Sequence, residues 1–390
     1  MSAPALEVAD IVREYGNGYR ERHRLPRRQL KVLRDIASCR TAALGGHVDR
    51  CESCGHERIS YNSCRNRHCP KCGSLAKEKW LRARERELLP VPYFHIVFTL
   101  PDDLNALVLV NPTVLYTTLF QSAAETLLCL GRDQKHLGAE IGLIAVLHTW
   151  GQNLMCHPHV HCIVPGGGLS EDGCRWVGAR ENFFIPVHVL SQVFRGKFLA
   201  SLKKAYRSGK VKCIGQCEVL RNREKFQQLL DRLYNKGWVV YAKQPFGGPE
   251  QVLAYLGRYT HRVAISNHRL VSMANGTVSF RWRDYRDESK EKVITVDACE
   301  FIRRFLLHVL PDGFCKIRYY GILSRKKRTK SLAQCRALLG VPERAQEPEP
   351  KTWEEVLLEI TGTDVRQCPK CHTGHMRRDR QLEPIQRAGP

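Results

Sequence analysis

The sequence predicts an α+β fold: a sheet with helices on one face, joined to a small module held together by metal. Two observations carry this. From residue 93 onward, short apolar runs closed by proline or glycine are interleaved with long helical patterns in the order strand, helix, strand, strand. Before that, residues 39–72 are rich in Cys, His, Gly and Asn and lack hydrophobic periodicity, so a metal is expected to substitute for a core.

Five segments follow from the N-terminus. Residues 1–38 read as a basic arm or helix, because residues 13–34 hold Arg13, Arg20, Arg22, Arg24, Arg27, Arg28, Lys31 and Arg34 against only Glu14 and Glu21; a solvated helix face with no ligand fits the same charges. Residues 39–90 are the cysteine-rich module, ending in a helix from Lys77 to Leu89 stopped by Pro90 and Pro92. In residues 91–270, Phe94 to Leu100 reads as a buried strand, Asn111-Pro112 opens a helix to about Leu130, and Ile141 to Thr149 and His159 to Val164 are strands. Helices are expected over Leu190 to Ser208 and Arg223 to Asn235, a strand over Trp238 to Lys243, and a helix with proline in its first turn over Pro249 to Ile265. In residues 271–340, Asn275-Gly276 between two apolar runs signals a hairpin, followed by a strand at Val293 to Val296 and a helix over Ala298 to Leu310. A second basic stretch runs over residues 303–330. Residues 341–390 read as a linker, a short acidic helix and a tail with Cys368-Pro-Lys-Cys371.

Composition narrows the function. The 390 residues hold 62 Lys and Arg against 39 Asp and Glu, a formal charge of +23, which points to a polyanionic partner. A hydrophobic content of 43% excludes wholesale disorder. A bilayer span needs about 18 apolar residues, and runs such as Ile141 to Leu147 fall far short. Met1 to Asp10 lacks a basic n-region and apolar stretch, so a cytoplasmic protein is expected. There the 17 cysteines should be reduced, favouring metal over disulfides.

Cys51-Glu-Ser-Cys54 and Cys69-Pro-Lys-Cys72 have the spacing of one four-thiolate zinc site, two ligands from each tight turn. Cys39, Cys64, His47, His56 and His68 are near enough to substitute or to serve a second ion. Cys368 and Cys371 could complete a second zinc site or be an unpaired tail. A closed site of this kind is structural, and the module could still touch DNA through Arg65, Arg67 and Lys71.

The stretch His157-Pro158-His159-Val160-His161 is the most informative. A strand sends alternate side chains to one face, so His159 and His161 form a bidentate grip for a divalent metal. Imidazole suits Mn, Co, Ni or Zn. Gln152, His148 and His157 are candidates for a third ligand, with Gln152 preferred. No acid follows the pair, which favours a side-chain nucleophile over metal-activated water. Tyr255 and Tyr259, four apart on the predicted helix, share one face with Arg258 and Arg262 nearby.

The histidine strand, the Tyr-x-x-x-Tyr helix, the cysteine-rich finger and the Phe98-Thr99-Leu100-Pro101 strand end together resemble the HUH-type rolling-circle transposases of the insertion-sequence 91 family, over most of residues 39–330. The resemblance implies an HUH endonuclease-like antiparallel sheet, with His159 and His161 as metal ligands, Mg or Mn as the catalytic ion and zinc in the N-terminal module. It also implies Tyr255 and Tyr259 as nucleophiles that cut and rejoin single-stranded DNA at transposon ends through a 5′-phosphotyrosine, leaving a 3′-hydroxyl for the host replication machinery. Two other readings are a non-catalytic zinc-finger regulator and a metal-dependent nuclease using activated water.

Overall fold

The computed structural model describes residues 6–180, 185–246, 251–252, 257, 264–284, 287–341 and 351–385. Residues 6–38 do not form a free arm. They fold as α1 (Val8–Arg22) and α2 (Arg27–Ser38), which bury Ile11, Val12 and Tyr19 and Val32, Leu33 and Ile36 and leave Arg13, Arg20 and Arg34 outside. The basic charge is thus one face of two amphipathic helices whose other face is core.

The cysteine-rich module supplies β1 (Gly46–Cys51), β2 (Glu57–Tyr61) and α3 (Ser74–Glu85). The central unit is β3 (Tyr93–Thr99), α4 (Asn105–Val110), α5 (Pro112–Arg132), β4 (Gly142–Trp150), β5 (Cys156–Pro165), the short β6 (Gly167–Leu169) and β7 (Trp176–Gly178), α6 (Val187–Arg207), α7 (Arg223–Asn235) and β8 (Val240–Phe246). Proline at its first position starts α5, and the Asn222 side chain caps α7 by accepting from two backbone N–H groups. Then come β9 (Leu270–Ala274), β10 (Thr277–Asp284), β11 (Lys290–Asp297), α8 (Ala298–Leu306), β12 (Ile317–Gly321), α9 (Arg328–Leu338), α10 (Trp353–Thr361) and β13 (Met376–Leu382). Asn275 and Gly276 both take positive φ, 50° and 73°, as the β9–β10 turn requires.

The main sheet has the order β12-β4-β5-β3-β8, with every neighbour antiparallel. Strand alternation gives it two faces. Phe94, Ile96, Phe98, Leu143, Ala145, Leu147, Val160 and Cys162 pack against α5, α6 and α7 in the largest core. The opposite face carries Tyr93, Ile144, Val146 and Ile163, covered by Trp80 and Leu81 of α3 and by Val252. A third core joins α1 and α2 to Cys39, Cys69, Phe280 of β10, and Phe301 and Phe305 of α8. Segments consecutive in the chain therefore share cores with distant ones. Among the described residues, no helix is long and apolar enough to cross a membrane.

Candidate active site and metal centres

Register builds the histidine site. His159 and His161 lie two apart on β5, and His148 of β4 is the direct cross-strand partner of His159, so all three project from the same face. One ring nitrogen of each lies within 4.8 Å of the others. His148 and His161 are buried and His159 partly so. The sheet face beneath the site is the one covered by α3 and Val252, opposite the α5–α6 layer.

Two hydrogen bonds orient the rings. Nδ1 of His159 lies 2.7 Å from the His157 carbonyl oxygen, so it carries the proton and donates, leaving Nε2 as a lone-pair donor toward the cluster. Nδ1 of His161 lies 2.8 Å from Nε2 of His95, a buried residue of β3 opposite Ile163. Stacking of His148 on Trp150, centroids 4.6 Å apart, fixes the third ring. Burial holds His161 well below the usual imidazole range. Burial, then the charge of His157, brings His159 down to about 3. His159 and His161 are therefore neutral at physiological pH, the form that binds metal.

The turn joining β4 to β5 is anchored by distant cations and a histidine. Carbonyls of Gln152, Asn153 and Leu154 accept, in order, from Arg269, Arg304 and His308. Leu154, at a φ of 63°, is fully buried in the core of α1, α2 and α8. Gln152, the preferred third ligand in the sequence, sits in this turn with its backbone carbonyl engaged, and His148 groups with His159 and His161. Lys316 stands near the site, its Nζ 5.7 Å from the centre of the Trp150 ring. Burial, aided by the charge of Arg67, lowers its pKa to about 7.

The cysteines assemble differently from the expected single site. Cys69 and Cys72 group with Cys39 and Cys64, whereas Cys51 and Cys54 group with Cys368 and Cys371, each set of sulfurs within 4.8 Å. The physical reason is that β1 and β2 carry Cys51 and Cys54 away from the Cys64–Cys72 loop, which folds back onto the end of α2. Sulfur separations of 3.3 Å for Cys39–Cys72 and 3.5 Å for Cys64–Cys72 suit thiolates around one zinc ion. His68 is no ligand of this group: its Nε2 accepts from the Leu310 N–H at 3.1 Å.

Of the predicted DNA contacts, Arg65 is exposed at a φ of 51° and lines a groove of about 270 Å³ with Arg28, Lys31 and Asp312. Arg67 donates to the carbonyls of Phe314 (2.6 Å) and Pro311 (2.9 Å), and Lys71 pairs with Glu7 at 2.6 Å. Those two side chains hold the module to its neighbours. Tyr255, Tyr259, Arg258 and Arg262 lie outside the described residues. Sequence reasoning missed His95, although the alternation that selects His159 and His161 also places it on its strand's inward face.

Two family models match the chain. One, described as "Transposase zinc-binding domain", covers residues 11–100, and the other, described as "Putative transposase", covers residues 142–330. A protein of Sinorhizobium fredii named "Putative transposase y4qJ" is 54% identical over 96% of this chain and 95% of its own length. The chain belongs to the insertion-sequence 91 family of transposases. The "Transposase for insertion sequence element IS801" of Pseudomonas savastanoi pv. phaseolicola is 28% identical over 76% of this chain and 71% of its own. No solved structure matches significantly. As a transposase with a zinc-binding domain, the protein is a DNA-processing enzyme, and both cysteine groups fit metal.

Proposed function

We propose that this transposase is an HUH-type enzyme that nicks and rejoins single-stranded DNA in rolling-circle transposition, with Tyr255 and Tyr259 as nucleophiles. The observation that carries the reading is the convergence of His148, His159 and His161 on one sheet face, with the Nδ1 atoms of His159 and His161 tied off by His157 and His95. Val252 supports it by packing on that face beside Ile144, Val146 and Ile163. Gly257, between the tyrosines in sequence, meets α3, where a Cβ would lie 3.0 Å from Leu81 Cδ1 and 3.3 Å from Lys77 Cε.

When bound at the three histidines, a divalent ion supplies Lewis-acid polarisation of the scissile phosphate. An all-nitrogen donor set favours Mn over Mg, which prefers oxygen. The chain's own residues do the rest. The histidines fix the site's geometry, and Arg258 and Arg262 bind phosphate oxygens and favour the phenolate form of the adjacent tyrosine. The phenolate oxygen bonds to phosphorus, the P–O3′ bond breaks, and the released 3′-oxygen takes a proton. The 5′-phosphotyrosine preserves the bond energy until another 3′-hydroxyl attacks phosphorus and frees the tyrosine. The first 3′-hydroxyl is then available to host replication.

Incubation with labelled single-stranded DNA and Mn, followed by a denaturing gel, tests this. A slow, protease-sensitive band is expected. Cut DNA without it indicates a nuclease using water, and binding without cutting indicates a regulator; either result overturns the proposal.

A further inference from the structure

The matched zinc-binding domain ends at residue 100, yet the cysteine pair nearest its sheet is completed from the far end of the chain. Sγ of Cys51 lies 3.7 Å from Sγ of Cys371, and Sγ of Cys54 lies 3.7 Å from Sγ of Cys368, across 320 and 314 residues of sequence. Four thiolates about 2.3 Å from a tetrahedral zinc stand about 3.8 Å apart along each edge. A disulfide would require about 2.05 Å.

Both pairs have the backbone of a metal-binding turn. Gly55 N–H donates to the Cys51 carbonyl at 3.0 Å, and His372 N–H to the Cys368 carbonyl at 3.0 Å, with φ of 69° and 57° at the two donors. Backbone N–H groups are aimed at sulfur as well: Lys370 at Cys368 Sγ (3.4 Å) and Gly374 at Cys371 Sγ (3.3 Å). Such donors stabilise thiolates. At Gly374 a Cβ would lie 2.6 Å from Cys51 Sγ, so the two turns touch through a position only glycine fits.

We infer that Cys51, Cys54, Cys368 and Cys371 bind a structural zinc ion that clasps the C-terminal segment onto the N-terminal module. Past the clasp, β13 adds to β1 as the third strand of the β13-β1-β2 sheet, and Arg380 pairs with Glu57 at 3.0 Å. Before it, α10 lies on α3, with Glu359 paired to Arg82. The zinc thus closes the chain into a ring and braces, from the C-terminal side, the helix whose Leu81 and Lys77 meet Gly257. The clasp does not depend on the nicking reading.

Zinc per chain, counted by native mass spectrometry on the full-length protein, tests it. Counting in a His159→Ala/His161→Ala background removes any contribution from the sheet site. Two zinc ions are expected, falling to one when Cys368→Ser/Cys371→Ser is added. A count of one before that addition, or of two after it, overturns the inference, as does iron in place of zinc. A protease site inserted after Gln346 gives a second readout. After cleavage the C-terminal fragment should remain bound on gel filtration and leave when zinc is chelated, and Gly374→Val should release it with all four cysteines intact. A fragment that dissociates from the wild-type zinc-loaded protein overturns the clasp. Tyr255→Phe/Tyr259→Phe should leave these results unchanged while abolishing DNA adducts, so the two proposals fail separately.

Discussion

Nε2 of His95 lies 2.8 Å from Nδ1 of His161, joining neighbouring strands of the main sheet through their side chains. With His161 bound to metal through Nε2, its Nδ1 must carry a proton and His95 must accept it, which fixes the tautomer of both rings. His95→Leu should weaken Mn binding about 10- to 100-fold in calorimetric titration, and His95→Gln, which keeps an acceptor, should recover part of the loss. Equal affinity in wild type and His95→Leu would show that the contact serves packing alone.

The cross-strand pairing of His148 with His159 ranks the third-ligand candidates. His148→Ala should reduce Mn affinity far more than Gln152→Ala, and His159→Ala should abolish DNA cutting. A larger loss from Gln152→Ala would restore the turn residue as ligand and displace His148.

His308 gives the fold an acid limit. Its Nε2 donates to the Leu154 carbonyl at 2.9 Å, Nδ1 faces Thr149 Oγ1 at 3.1 Å, and burial holds its pKa down to about 4, against 6.5 for a free imidazole. The unfolded chain therefore binds a proton that the fold excludes between about pH 6.5 and 4, so stability is full above that window. It falls by about 1.4 kcal/mol per pH unit per proton as the solution is acidified. Melting temperatures for His308→Gln should be lower at pH 8 but less steeply pH-dependent below 6.5; an unchanged slope would contradict the assignment.

Arg65 and Arg67 should separate by phenotype. Arg65→Gln should weaken single-stranded DNA binding and lessen the slope of log K against log salt by about 0.7, the loss of one phosphate contact. Arg67→Gln removes donors to Pro311 and Phe314 and should lower melting temperature more than DNA affinity. The reverse pattern would place Arg67, and not Arg65, on the DNA.

Local chemistry made much of the fold legible. Asn222 marks the start of α7, predicted and found at Arg223–Asn235. Asn275-Gly276 marks the hairpin, and alternation along β5 aims His159 and His161 together. What required coordinates was tertiary. The grouping of His148 with His159 and His161 depends on the register of β4 against β5. The sorting of cysteines depends on 314 residues of chain returning to Cys54, and local spacing instead favoured the nearest pair. The basic charge of residues 13–34 concealed the apolar stripes by which α1 and α2 enter a core.

The proposed nicking requires Tyr255 or Tyr259 to become bonded to DNA. Mass spectrometry of tryptic peptides from protein incubated with single-stranded DNA and Mn tests it most directly, because cleavage after Arg258 puts Tyr255 and Tyr259 on separate peptides. A nucleotide attached to either tyrosine is the predicted result. Attachment elsewhere, or cut DNA with both peptides unmodified, would contradict the account.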